Sequence, residues 1–175
     1  VTTSLVHGGP EHATGADLDL SEDLSDDLFD AGADVTVEVA VEARLHRALR
    51  GYLDAVAHRL GVGLESCTLD VDLPTSAYLA LDRPLPAFPD RELALLWDEV
   101  HGWAAAIETH SGEDLIVVSY LDAPTVTPPP RLLARFVHDL RTGGRRLTRP
   151  DPPALRTAGD HQALARDLES AARPN

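Results

Sequence analysis

Lysine and methionine are absent from this chain, cysteine occurs once, and aromatic residues make up 5% of it. Without lysine, arginine carries every fixed positive charge; with abundant Ala, Asp and Pro, that points to a high-GC genome. Without an initiator methionine, a non-ATG start, processing and truncation all stay open. The lone Cys67 cannot form an intramolecular disulfide, so nothing marks a secreted, disulfide-stapled protein. No run approaches the roughly 18 apolar residues of a membrane span, and the N-terminal stretch lacks the basic and apolar regions of a signal peptide. The chain therefore reads as cytoplasmic. Its net charge of −14 argues against nucleic acid as a direct ligand, which is held by basic patches, and against a membrane partner. There is no G-x-G-x-x-G, no P-loop and no G-x-S-x-G, which counts against the commonest nucleotide and hydrolase classes.

What is present is material for one core. Hydrophobic residues make up 43% of 175, enough for a single domain whose interior must be Leu, Val and Ala. Residues 1–43 hold eleven Asp or Glu and no arginine, whereas 141–175 hold seven arginines and four acids. Both ends are poor in bulky apolar groups. The expected organisation is an acidic, largely disordered arm over 1–41, one α+β domain over 42–142, and a mostly disordered Arg/Pro-containing tail over 143–175.

Leu45, Leu49, Tyr52, Leu53, Val56 and Leu60 recur at helical spacing and stop at Gly61. The start of that helix is obscured by Val35, Val37, Val39 and Val41, which alternate as a strand would. A second helix follows Pro128, Pro129 and Pro130, carries Leu132, Leu133, Phe136, Val137 and Leu140, and ends at Gly143 and Gly144. Between them "CTLDVDL", "SAYLALD", "LALLW", "WAAAIET" and "LIVVSYL" read as strands, and their short links imply antiparallel neighbours. The fold expected is α+β, an antiparallel meander of about five strands with two helices packed on one face. "HQALARDLESAAR" reads as a weak terminal helix without a firm apolar face.

The two tryptophans flank the turn "WDEVHGW". If Gly102 takes φ > 0 at the end of an odd loop, Trp97 and Trp103 share a face with Leu93, Leu95, Ala105 and Ile107. A similar turn at Ser111 and Gly112 would add Leu115, Val117 and Leu121. That face is assigned to the core. The opposite face, with Ala94, Leu96, Ala104, Ala106, Glu108, Ile116, Val118 and Tyr120, is unusually apolar for one in water. Leu96, Ala104, Ala106, Glu108, Val118 and Tyr120 are the expected interaction face. The inverse parity, with the tryptophans partly exposed, stays open.

Asp98, Glu99 and His101 put two carboxylates and an imidazole in one turn, the composition of a metal site or an acid–base pair. Successive loop residues usually point apart, and no second ligand cluster is evident, so a solvated turn is the expectation and no metal or cofactor is implied. Cys67 begins an apolar strand in acidic surroundings, the opposite of what a nucleophilic thiolate needs. Asp70 and Asp72 would share a strand face, either as paired carboxylates or as the solvated side of an edge. His46 and His58 lie twelve residues apart on the first helix, too far for one metal ion, and His138 sits near the end of the second. In the acidic arm, Leu20, Leu24 and Leu28 recur at helical spacing beside Phe29, either as a docking helix or as incidental leucines in a solvated run.

Over residues 45–142 the stretches "LRGYLDAVAHRLGV", "LPAFPDRELALLWDEVHGWAAAIETHSGEDLIVVSYL" and "PPPRLLARFVHDL" resemble an uncharacterised family of small actinobacterial proteins. That resemblance implies actinobacterial origin and a one-domain core, and it carries over no catalytic residue. In element order alone the chain is similar to small acidic chaperone-like and immunity-type proteins. The leading expectation is a non-enzymatic interaction module, immunity- or chaperone-like, binding a basic protein partner or a second copy of itself. The alternative is a small enzyme using the Asp98–Glu99–His101 turn.

Overall fold

The computed structural model describes residues 23–109 and 114–173, excluding the side chains of residues 23–34. The described residues divide into two units between Val37 and Glu38. The elements are α1 (Asp23–Leu60), β1 (Cys67–Asp70), β2 (Ser76–Leu81), β3 (Leu93–Asp98), β4 (Gly102–Glu108), β5 (Leu115–Leu121), α2 (Pro130–Thr142), β6 (Thr148–Arg149) and α3 (His161–Ala171). The strands form one antiparallel sheet in chain order, β1 to β6. The fold is α+β, with one strand more than expected and the terminal helix packed as a third beside the two expected on the sheet.

The first two helices follow from local signals. In α1, Leu45, Leu49, Tyr52, Leu53 and Val56 form the expected stripe and are all fully buried; Gly61, at φ 77°, ends it. The alternating Val35, Val37 and Val39 prove helical, each more than half exposed. β-branched residues favour a strand only where a half-buried sheet surface receives them, whereas a helix satisfies its own backbone. Proline at the first turn of α2 needs no hydrogen-bond partner, and Gly143, at φ 75°, closes that helix in the left-handed region.

The β3–β4 turn has the expected geometry. Asp98 pairs with Gly102 across a three-residue loop, Gly102 has φ 72°, and Trp97 pairs directly with Trp103. Both tryptophans are buried in one cluster with the apolar stripes of α1, α2 and α3. The β4–β5 pairing departs from expectation. Ile107 pairs with Ile116 and Glu108 with Leu115, but after a bulge Ala105 pairs with Ser119 and Ala104 with Tyr120. Leu115 and Val117 therefore move to the face of Tyr120, and Ile116 to the tryptophan face. Val118 is the extra residue, partly buried against the core and not on the open face. The Ser111–Gly112 turn that set the expected parity lies outside the described residues.

The C-terminal segment corrects the expected tail. Leu164, Ala165 and Leu168 of α3 are fully buried in the main cluster, and β6 adds to the β5 edge. The Asp160 side chain caps α3 by accepting from the Ala163 N–H at 2.9 Å. Arg44 of α1 grips Glu169 with two bonds, Nε to Oε1 at 2.9 Å and Nη2 to Oε2 at 2.8 Å. This Arg44 contact holds the Glu169 carboxyl below the usual range. A narrow stripe of two leucines and an alanine suffices because the surface it meets is already apolar.

Candidate functional site

The Asp98–Glu99–His101 turn does not converge on a common point. Asp98 Oδ1 accepts from the backbone N–H groups of Val100 and His101 at 2.8 and 2.7 Å, and His101 Nδ1 lies 3.0 Å from it. Asp98 thus braces its own loop. Glu99 points inward and is fully buried. Its Oε1 accepts from the Thr75 N–H at 2.9 Å; its Oε2 accepts from Arg156 Nη1 at 2.9 Å and the Gly159 N–H at 3.2 Å. Both oxygens are engaged, so Glu99 ties the β1–β2 loop and the C-terminal segment to the turn. The adjacent Val100 carbonyl accepts from the Leu155 N–H at 2.9 Å.

The tryptophans have polar duties as well as packing ones. Trp97 Nε1 donates to the Val126 carbonyl at 2.7 Å. Trp103 Nε1 donates to the Tyr52 hydroxyl at 3.1 Å, which donates to the Pro128 carbonyl at 2.7 Å. Burial raises the Tyr52 phenol far above its ordinary range, so it remains a donor at any physiological pH. Replacing Tyr52 by Phe leaves a buried indole N–H and a buried carbonyl unpaired, and is expected to cost about 2 to 3 kcal/mol. Urea denaturation followed by tryptophan fluorescence checks this; a loss under about 0.5 kcal/mol would show the relay contributes nothing.

On the opposite sheet face, register places Tyr78, Leu96, Ala104 and Tyr120 in one row and Ala80, Ala94, Ala106 and Val117 in the next. Among the described residues, no helix contributes to a buried cluster there. Ala94 and Ala106 are nevertheless fully buried. The exposed apolar groups of the face lie at its β5 end, Leu115 at 40% and Val117 at 39%. β6 pairs only with Tyr120 and Leu121, so among the described residues no strand pairs with the outer edge of 115–118. The Tyr78 hydroxyl donates to Glu108 Oε1 at 2.9 Å; burial and that carboxylate push its pKa up to about 12.

The profile of a family of unknown function, DUF6292, matches residues 52–139. The chain belongs to that family. No curated protein and no solved structure matches it. The DUF6292 segment begins at Tyr52 and includes both tryptophans, Val126 and Pro128, so the buried relay lies wholly inside it. The Arg156 and Gly159 partners of Glu99 lie beyond it.

Other expected residues take ordinary places. Cys67 is half-buried, and burial with the Glu65 and Asp54 carboxylates pushes its thiol up, away from a nucleophilic thiolate. Asp70 ends β1 and accepts from the Asp72 N–H at 2.9 Å, so the two do not share a strand face. Among the described residues, no group of three His, Cys, Asp or Glu is placed to hold a metal ion, and no helix is long and apolar enough to cross a membrane. Of the docking stripe, Leu20 lies outside the described residues, as do the side chains of Leu24, Leu28 and Phe29. Arg156 escaped sequence reasoning because 57 residues separate it from Glu99 and no local motif announces it.

Proposed function

We propose that this DUF6292 protein is a non-enzymatic, actinobacterial and cytoplasmic interaction domain that docks a basic protein partner, in the manner of an immunity or chaperone-like protein. The observation that carries the reading is the sheet face opposite the tryptophans, which no helix covers among the described residues and whose exposed Leu115 and Val117 adjoin a stretch of β5 that no described strand pairs. Contiguous apolar surface is rarely left in water, and an unpaired edge offers backbone donors and acceptors to an extended segment. Asp70, Asp98 and Glu108 belong to the same face by register, and the net charge of −14 favours a basic partner.

The test uses a fluorescein-labelled peptide of alternating arginine and valine, with fluorescence anisotropy as the readout. Saturable binding is expected, weakened at least about tenfold by Val117→Arg while folding stability moves by under about 0.5 kcal/mol. Ala106→Arg is the poorer probe, because a charge at that buried position disturbs packing. Absent binding, or binding that Val117→Arg leaves unchanged, overturns the reading. A stable dimer in sedimentation that Val117→Arg dissociates also overturns it, by giving the face to a second copy.

A further inference from the structure

A groove of about 950 Å3 lies between the end of α1, the 124–130 loop that enters α2, the segment at Leu155–Arg156 and the end of α3. Arg59, Arg131, Arg156 and Arg173 line it with His58, against the single carboxylate of Asp167. On a chain of net charge −14 this is a local reversal of sign. Arg156 is committed to Glu99, and Arg173 acts on Glu169 alongside Arg44. Arg59 and Arg131 are exposed and form no ion pair among the described residues. The first turn of α2 opens onto the groove through Pro129 and Pro130, with no acidic residue and no side-chain cap to neutralise its positive end.

The walls are fixed from behind by the tryptophan hairpin. Trp97 holds the Val126 carbonyl, Tyr52 holds the Pro128 carbonyl, and Val100 holds the Leu155 N–H. A Cβ on Gly102 would come within 3.3 Å of both Val126 Cα and Leu155 Cδ1, so the glycine allows these walls to sit against the turn. A site held by buried bonds loses little entropy when it is filled.

We propose that this groove binds an organic phosphate. Its charged end would meet the guanidinium groups of Arg59 and Arg131 and the N-terminal end of α2, and its apolar or aromatic body would lie along Pro124, Pro129 and Leu155. Guanidinium forks match the paired oxygens of phosphate, and the positive end of the α2 dipole favours the same charge, although Pro129 and Pro130 offer it no N–H. The volume exceeds what a bare anion fills, and the apolar wall gives the remainder a reason to bind. None of this needs a glycine-rich phosphate loop, because the contributing residues come from four separate parts of the chain.

Isothermal titration of the full chain at low salt, with pyrophosphate and with ADP as probes, tests the proposal. Both are expected to bind, ADP at least about tenfold more tightly, and the affinity should fall as salt rises. Arg59→Ala and Arg131→Ala should each weaken binding by about tenfold or more, whereas Arg135→Ala, an equally exposed arginine outside the groove, should leave it unchanged. Each variant should retain the urea midpoint of the parent. Failure of both probes to bind at millimolar concentration, or equal loss in all three variants, overturns the site. Equal affinity for pyrophosphate and ADP overturns the role of the apolar wall.

Discussion

A chain ending at Arg149 is expected not to fold cooperatively, although it retains all six strands, α1, α2 and the whole DUF6292 segment. The removed portion carries Leu164, Ala165 and Leu168, all fully buried, and Arg156, the cationic partner of the buried Glu99. Each buried leucine contributes about 1.5 to 3 kcal/mol, and breaking a buried ion pair from one side costs about 3 to 5. Together these losses approach the entire stability of a typical domain, roughly 5 to 15 kcal/mol. Removing α3 also exposes the apolar surface it covered, which adds to the loss. Urea denaturation followed by far-ultraviolet circular dichroism checks this. A single cooperative transition near that of the full chain would show that α3 is an ornament on a core complete without it.

The meander was legible because its evidence is local. Alternating residues, Gly102 at a turn, and proline and glycine at the two ends of α2 each act within a few residues of one another, so spacing alone predicts the element. The tryptophan parity was legible for the same reason, since one short odd loop fixes it. Legibility ended where the structure depends on distant partners. Nothing within a few residues of Ser119 signals the bulge that moves Leu115 and Val117 to the other face. The stripe of α3 is only Leu164, Ala165 and Leu168, which in isolation cannot offset the entropy of ordering the helix; it acquires meaning from a surface built earlier in the chain. The turn's residue types were suggestive of chemistry, but composition could not tell that Asp98 and His101 pair with each other while Glu99 turns inward. The arginine groove was equally hidden, because Arg59, Arg131, Arg156 and Arg173 are brought together only by the packing of the helix ends and the 155–156 segment.

The anchoring role of Glu99 leads to a sharp expectation for a mild substitution. Glu99→Gln preserves size and shape, yet it should destabilise the protein by about 2 to 4 kcal/mol, close to the effect of Glu99→Ala. Every group facing the side chain is a donor: the Thr75 N–H at one oxygen, Arg156 Nη1 and the Gly159 N–H at the other. A carboxylate accepts from all three. An amide offers one oxygen, and whichever way it is turned its NH2 group meets a donor, leaving at least one buried N–H unpaired and Arg156 without a counter-charge. Arg156→Ala should cost a similar amount by stranding the carboxylate, whose side chain has no exposed surface. Replacing both residues by alanine should cost less than Glu99→Ala and Arg156→Ala combined, because neither charge is then left alone in the interior. Urea midpoints for the two single variants and the double variant provide the cycle. If Glu99→Gln shifts stability by under about 1 kcal/mol, the three donors are not competing for negative charge, and the turn is joined to the C-terminal segment by packing alone.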